Sequence, residues 1–591
     1  MNVLAVLIAA AAAFVLAGRF YSRFIARRLG EDPSRPTPAV ALRDDLDFVP
    51  TKVPVVFAHH FSAIAGAGPI LGPTMAVLYG FVPAWLWVLL GGIFIGAVHD
   101  FTTLFVSLRE DGRSVAEIAR RTLGERGFHL FIAFTLIMIV LVTSSFLSAT
   151  SISLTSLWPL EKIGVREGET FLRTVVVDGV PMGRIGGIAS MSVIVITLCS
   201  PLLGFLIHRK GVKMTVAYPM AAAIGVTSVF LGIAFPVTVS ASAWMIIISV
   251  YVLFAAGLPV WLILQPRDFI NVQILYAGIA LMAVSLVRTG LAGVRVTMPG
   301  FNLAEGVRAL GSIWPMMFCM IACGAISGFH ALVAGGTTSK QLSRESHARI
   351  VGYNGMLLES LLAVCVLLAI GAFLSFGDYR SIVWPTEPGI KSNPILGFSL
   401  AAGHLFNRGL GIPTALGTVF GILLVEGFVV TTLDAAVRLN RYLFEELWEI
   451  LFRKVPGFPR KHWINAGISV LLMWCLAASN TFTLLWPVFG TANQLLAAMS
   501  LLAVSAWLML RRRRAWFTEI PAVFMLATTI ASLAILFRQY LRTKNYVLAA
   551  ADAALFVLAA GVVVLTVRLL RKERRRKRPD PEPTRAQRSV S

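Results

Sequence analysis

The chain has 591 residues, 57% of them hydrophobic and only 14% charged, with a mean hydropathy of +0.78. Soluble domains run at about 45–50% apolar and about 25% charged, so these proportions exclude an ordinary soluble enzyme and a disordered chain. The formal net charge is +22, yet the basic residues sit in short loops and a tail between apolar runs. There they orient a membrane protein rather than bind nucleic acid.

The first apolar run, 3–20, has no basic residue before it, and Arg19, Arg23, Arg27 and Arg28 follow. That polarity is opposite to a cleaved signal peptide, and it predicts a spanning helix with its N-terminus outside. Further apolar runs cover approximately 53–80, 81–107, 128–157, 185–207, 214–235, 243–264, 269–291, 312–335, 350–374, 411–432, 463–479, 482–510, 517–540 and 546–570. Each suits a membrane helix of about 20 residues, so the expected fold is an all-α polytopic membrane protein with about 15–18 transmembrane segments. A shorter run, 394–406, suits a re-entrant or interfacial segment better than a crossing. The loops 108–127, 208–213, 339–349, 438–461 and 511–514 are rich in Lys and Arg and fall together on the cytoplasmic side of this topology. Arg542 and Lys544 fall on the other side. The basic, then Pro-rich tail 571–591 is expected to be disordered and cytoplasmic.

Glycine and proline within a spanning run free backbone groups that lipid cannot satisfy. The run 53–80 holds His59-His60-Phe61-Ser62-Ala63-Ile64-Ala65-Gly66-Ala67-Gly68-Pro69 and then Gly72-Pro73. This predicts a broken helix whose second half starts near Pro69 and offers N–H groups to an anion. Ala255-Ala256-Gly257-Leu258-Pro259 reads as a second break five runs later, in a run of opposite direction. Two such breaks point to an inverted-repeat transporter; the alternative is that each only kinks its helix.

Ionisable groups at membrane depth are costly and are functional candidates by default. His59 and His60 abut the first break and point about 100° apart, so at most one faces a substrate directly. Asp100 follows His99 and either pairs with a histidine to carry a proton or caps a helix contact. The run 312–335 ends Ser327-Gly328-Phe329-His330, with Gly335-Gly336-Thr337-Thr338-Ser339 after it. The hydroxyls suit Na+, the histidine a proton, and a helix-ending turn explains the same residues. Glu359 and Glu426 are either proton carriers or buried acids with an unseen base. Asp434 and Arg438 are spaced as an i,i+4 pair. In the run 482–510, Pro487 and Gly490 bend Trp486-Pro487-Val488-Phe489-Gly490-Thr491-Ala492-Asn493-Gln494, and Asn493 and Gln494 supply neutral donors and acceptors. Cys199, Cys319, Cys323, Cys365 and Cys475 all lie in apolar stretches. Cys319, Cys323 and His330 read as buried residues rather than a metal trio. No Walker A, GxGxxG, HExxH or GxSxG motif occurs, so no enzyme activity, metal or cofactor is expected beyond a coupling ion, H+ or Na+.

Val56-Phe57-Ala58-His59-His60-Phe61 through Gly72-Pro73 resembles the signature segment of the carbon starvation protein A (CstA) family. Cys323 to Leu332 with Gly336-Thr337-Thr338, Gly352-Tyr353 with Met356 to Ser360, Thr431 to Ala435, and Trp486 to Leu495 resemble four further blocks in order, over roughly 50–505. His99 departs from the glutamine expected before the aspartate in this family. The resemblance implies a bacterial inner-membrane uptake system of the amino acid–polyamine–organocation superfamily with a LeuT-like inverted five-helix repeat and additional helices. It implies import of small peptides or a carboxylate such as pyruvate, proton-coupled in some branches, during carbon starvation.

The domain reading is an N-terminal helix and linker (1–50), a core (51–510) with repeats at about 51–235 and 243–432, C-terminal helices (511–570) and the tail. The expected substrate site comprises His59, His60, Gly66, Ala67, Gly68, Gly257, Ser327, Asn493 and Gln494. Ion coupling is expected at Asp100, His330 and Glu359, with Thr337 and Thr338 serving if the ion is Na+. The competing classes are a membrane receptor or nutrient sensor, an intramembrane enzyme and a channel. The expected partners are the lipid bilayer and the small substrate.

Overall fold

A computed structural model describes residues 1–44, 48–163, 172–259, 262–387, 390–452 and 461–576. The tail beyond 576, expected to be disordered, lies outside the described residues, as does part of the 438–461 loop. In chain order the helices are α1 (Val3–Leu29), α2 (Val53–Ile64), α3 (Gly68–Tyr79), α4 (Phe81–Arg109), α5 (Val115–Leu123) and α6 (Glu125–Ser153). A small sheet follows, then α7 (Ile185–His208), α8 (Met214–Ala234), α9 (Ala241–Gly257), α10 (Leu264–Leu291) and α11 (Leu303–Leu310). Next come α12 (Ile313–Met320), α13 (Phe329–Gly336), α14 (Arg349–Phe373), α15 (Phe376–Val383) and α16 (Pro394–Leu410). The last are α17 (Thr414–Leu451), α18 (His462–Ser479), α19 (Phe482–Leu510), α20 (Trp516–Arg542) and α21 (Tyr546–Leu569).

Twelve of these are long and apolar enough to cross a membrane, thirteen with the bent pair α2–α3. The 17-residue α9 and the pair α12–α13 are the two remaining apolar runs of the sequence. The chain is therefore a multi-pass, predominantly helical membrane protein.

Contacts sort the helix ends onto two faces. Arg109 binds Glu345 (2.8 Å) and the Gly30 carbonyl (2.8 Å), Arg511 binds Glu110 (2.6 Å), and Arg513 reaches the Arg28 carbonyl (3.4 Å). The loops around 30, 110, 345 and 511 thus share one face, which is the basic one. On the opposite face Asn2 reaches the Gly290 carbonyl (3.1 Å). That face also carries the sheet, an unforeseen departure from all-α: β1 (Trp158–Pro159), β2 (Thr174–Val177) and β3 (Val180–Gly183), antiparallel in the order β1-β3-β2. Asp178 and Gly179, both with positive φ, make the two-residue turn of its hairpin.

The segment 394–406 forms part of α16, which is re-entrant. Its residues run antiparallel to the first half of α17, Gly403 against Thr418 and Ser399 against Gly421. Its last turn meets Ser285 near the non-basic end of α10, while α17 continues to Asp434, which meets Arg267 at the other end of α10. At 1.5 Å per residue, Pro394 reaches only about half the depth of α17. The chain enters and leaves by one face, so the basic segment after 438 keeps to the basic face.

The second break differs from expectation. α9 ends at Gly257, at the basic face, and its final carbonyls are capped from α17: Arg438 binds Ala255 O (2.8 Å) and Leu258 O, and Arg441 binds Ala256 O (2.9 Å). Gly257-Leu258-Pro259 is therefore a helix end, not an interruption at mid-membrane. The interruption that faces α2–α3 is the unwound stretch 321–328 between α12 and α13, seven apolar runs after the first. The five-run spacing does not hold between the two breaks.

Candidate functional site

The two breaks lie back to back. A Cβ on Gly68 would sit 2.5 Å from Cys323 Cβ, and one on Gly72 would sit 3.0 Å from Ile321 Cα. Only glycine permits this approach of two unwound backbones.

Below the contact runs a chain of buried ionisable groups, each at most 1% exposed. Asp100 on α4 accepts from both sides: His99 Nδ1 lies 2.7 Å from Oδ1 and His330 Nδ1 lies 2.7 Å from Oδ2. His330, on the first turn of α13, turns Nε2 toward Glu359 Oε2 of α14 at 3.2 Å. The Glu359 Oε1 accepts from the Gly324 N–H (3.2 Å), and Ser360 Oγ donates to Gly324 O (2.7 Å). Hydrogen bonds join His99 and His330 to the Asp100 carboxylate, while His330 Nε2 stands close to Glu359 Oε2 without a hydrogen bond, so the series His99–Asp100–His330–Glu359 is open at its last step. Bringing that last pair into hydrogen-bonding geometry would let the series pass a proton by tautomer exchange. The structure thus brings Asp100, His330 and Glu359 together from three helices, with His99 added. Cys323 Sγ lies with His330 and Glu359 so that one ligand atom of each falls within 4.8 Å of the others. That spacing is open to a metal ion; Cys319, read with Cys323 and His330 as a buried residue rather than a ligand, lies outside it.

Of the histidine pair, His60 is 1% exposed and its Nδ1 meets Thr338 Oγ1 at 2.8 Å. His59 points the other way and is exposed. It heads an accessible stripe of α2, His59, Ser62, Ala63 and then Gly66, at helical spacing, while Phe61 and Ile64 are buried. Gly66 faces α17, where a Cβ would stand 3.1 Å from Thr432 Oγ1.

The second break is stapled by side chains of α19, although the Ala322, Cys323, Ala325, Ile326 and Ser327 N–H groups there have no acceptor among the described residues. Asn493 Nδ2 donates to Ala322 O (2.6 Å) and to Ser327 Oγ (3.1 Å), and its Oδ1 accepts from the Phe329 N–H (3.0 Å). Gln494 Nε2 donates to Phe318 O (2.7 Å) and Ile321 O (2.9 Å), and Trp486 Nε1 to Met320 O (3.0 Å). Ser327, Asn493 and Gln494, expected to bind substrate, are engaged in holding this backbone. At the first break the Ala67 and Gly68 N–H groups, at the N-terminus of α3, have no acceptor among the described residues.

Two expected residues are not brought to the site. Gly257 packs against the Trp463 ring at the end of α9. Thr337 is exposed and bonds back to Val333 O (3.1 Å), because α13 ends just before it. Asp434 does not pair with Arg438 of its own helix. It binds Arg267 of α10 (3.0 Å) and accepts from Tyr251 of α9 (2.6 Å), a buried link between three helices that sequence spacing could not show.

The family model described as carbon starvation protein CstA matches residues 2–390 and 384–532. The chain belongs to the CstA family. It is 30% identical over 577 residues to the peptide transporter CstA of Campylobacter jejuni, covering 88% of this chain and 78% of that protein. It is 32% identical to the peptide transporter CstA of Helicobacter pylori strain J99 (90% and 82% covered) and 29% identical to the pyruvate/proton symporter BtsT of Escherichia coli K12 (90% and 81%). A solved manganese transporter from Eremococcus coleocola aligns over 88% of this chain and 95% of its own at 10% identity, with a TM-score of 0.42. That likeness is too loose to assign a fold.

Proposed function

We propose that this protein is a secondary active transporter importing a small carboxylate, pyruvate or a short peptide, coupled to protons. The observation that carries the reading is the pair of Ala67 and Gly68 N–H groups, which start α3 beside the accessible stripe of α2 and have no acceptor among the described residues. Free N–H groups at a helix start favour an anion, and both substrate classes carry a carboxylate. His59, Ser62 and Gly66 line the approach, and Thr432 closes its far side. The series His99–Asp100–His330–Glu359 adjoins the same contact through Cys323 and Gly324, so a proton on Glu359 and the packing of the break share one location. The names of the relatives, peptide transporter and pyruvate/proton symporter, agree with this reading.

The same proposal places the chain in a bacterial inner membrane with the basic face cytoplasmic, the N-terminus outside and the C-terminus inside, since basic loops stay on the cytoplasmic side. It keeps a LeuT-like inverted repeat, with two further helices between the interrupted elements. The test is uptake of labelled pyruvate and a labelled dipeptide into proteoliposomes under an inward proton gradient and, separately, an inward Na+ gradient. Accumulation above equilibrium under the proton gradient, lost in Glu359→Gln, is expected. Equilibration without accumulation under either gradient would make the protein a channel.

A further inference from the structure

A second buried acid lies apart from this series. Glu426, on α17, is 0% exposed and faces the Thr150 and Ser153 hydroxyls of α6, which are also 0% exposed. The two hydroxyls lie within reach of the carboxyl, yet none of the four oxygens has a hydrogen bond of good distance and angle among the described residues. Four polar oxygens thus meet in an apolar interior without satisfying one another, which is costly unless something else satisfies them.

Most other hydroxyls of α6 and of the turn after it behave differently. Thr135, Thr143, Ser144, Ser145, Ser151 and Thr155 each fold back onto a carbonyl of their own helix, at 2.7 to 3.1 Å. That bond is open to any helical Ser or Thr. Thr150 and Ser153 forgo it, and both turn to the one carboxyl opposite.

No base among the described residues completes the group. Arg267 is the charged side chain acting on Glu426, and its guanidinium is already bound to Asp434. A proton on Glu426 would supply one O–H to donate to a hydroxyl, and the approach of the two hydroxyls does not reach the geometry of such a bond. An all-oxygen set of one carboxylate and two hydroxyls suits a hard cation. Its single negative charge balances one positive charge; a divalent ion would leave a net charge buried in an apolar interior.

We propose that Glu426, Thr150 and Ser153 form a binding site for a single Na+ ion. The site is separate from the proton series and does not depend on the transport reading above. It joins α6 to α17, the helix that also carries Thr432 beside the first break.

The test is equilibrium binding of labelled Na+ to the purified full-length protein in detergent, at constant ionic strength made up with choline chloride. Saturable binding is expected, displaced by unlabelled Na+ and not by choline. Glu426→Gln should abolish it. Thr150→Val, which keeps the shape and removes one oxygen, should weaken it by about tenfold or more, a loss of about 1.4 kcal/mol, while Thr150→Ser should retain it. Absence of saturable Na+ binding by the wild-type protein overturns the proposal. So does binding that survives both Glu426→Gln and Thr150→Val. The Thr150→Ser protein shows whether loss in Thr150→Val reflects the missing hydroxyl or damage to the fold. Equal loss in both overturns the assignment of the hydroxyl.

Discussion

Replacing Asn493 by Leu tests the stapled break directly. The side chain is buried, and Leu fills nearly the same volume. Two backbone groups lose their partners: Ala322 O, now held at 2.6 Å, and the Phe329 N–H, now held at 3.0 Å. Hydrogen bonds between membrane helices average only about 0.6 kcal/mol, because the chain finds other partners when they part. That average does not apply to 321–328. These residues are unwound, so their backbone groups have no helical partner to fall back on, and no water reaches them. The larger figure of about 1–3 kcal/mol per orphaned buried group governs, giving about 2–6 kcal/mol for the pair. Asn493→Asp should also destabilise, since the carboxylate can still accept from Phe329 but cannot donate to Ala322 O. The assay is reversible unfolding of the purified protein in mixed micelles of mild detergent and dodecyl sulfate, with uptake measured on the same preparations. If Asn493→Leu keeps wild-type uptake and falls within about 0.5 kcal/mol of wild-type stability, the orphaned-group reasoning fails.

Four further outcomes are expected. Gly68→Ala should inactivate uptake, because its Cβ would lie 2.5 Å from Cys323 Cβ; Cys323→Gly in the same chain removes that atom and should restore folding, measured by monodispersity and melting temperature. Asp434→Ala leaves Arg267 buried without its counter-charge and should cost about 3–5 kcal/mol, whereas Arg267→Met with Asp434→Leu should cost much less; equal losses in micelle unfolding would refute this. Burial tends to raise the Glu110 carboxyl, but its bonds to Trp507, Arg121 and Arg511 outweigh burial and hold it below the ordinary value of 4.5. Its contribution is therefore complete above that value and lost as pH falls through the lowered one; the melting-temperature gap between wild type and Glu110→Gln should narrow in acid, and a gap constant down to about pH 3.5 would count against it. Exchanging Ser62 for Phe on the accessible stripe of α2 should block uptake without lowering the melting temperature, and a fall in stability of more than about 1 kcal/mol would show that the stripe is packed rather than open.

The membrane class was legible because apolar runs of spanning length need no partner to be seen. The first break was legible for a similar reason: Gly66, Gly68, Pro69, Gly72 and Pro73 are local signals. The second break lacks a proline within 321–328 and unwinds through Cys323-Gly324-Ala325-Ile326-Ser327-Gly328, where tertiary bonds from α19 replace the helical ones. Those bonds span more than 160 residues of sequence, so no local pattern could show them. The Gly257-Pro259 pair misled because Gly followed by Pro marks a helix end as well as an interruption, and only the capping arginines of α17 decide between the two. Asp434 was assigned to Arg438 by i,i+4 arithmetic, which sees neighbours on one helix and is blind to Arg267, 167 residues away. His330 and Glu359 were visible as costly charges at membrane depth; that Asp100 joins them follows from the crossing of α4 and α13 and not from spacing.

The bonds at the second break also bear on which boundary of the molecule can move. Around 321–328 the bonds from Asn493, Gln494 and Trp486 tie α12 and α13 to α19 at both ends of the unwound stretch. Sliding one against the other would strip several buried backbone groups at once. Between α2 and α17 no hydrogen bond is found among the described residues. Just past α2, Gly66 stands against Thr432, where a Cβ would find a hydroxyl at 3.1 Å, and the α2 face beside it, His59, Ser62 and Ala63, is accessible. A ligand seated on the Ala67 and Gly68 N–H groups would therefore press on α17 rather than on α19. α17 is in turn pinned two residues further on by Asp434 to α10 and α9, and by Arg438 and Arg441 to the end of α9. α3 is itself held against the second break, by Gly68 on Cys323 and Gly72 on Ile321, and by Tyr379 bonding the Thr74 carbonyl. The proton series, anchored on α4, α13 and α14, lies on the side of α2 that His60 and Thr338 hold closed.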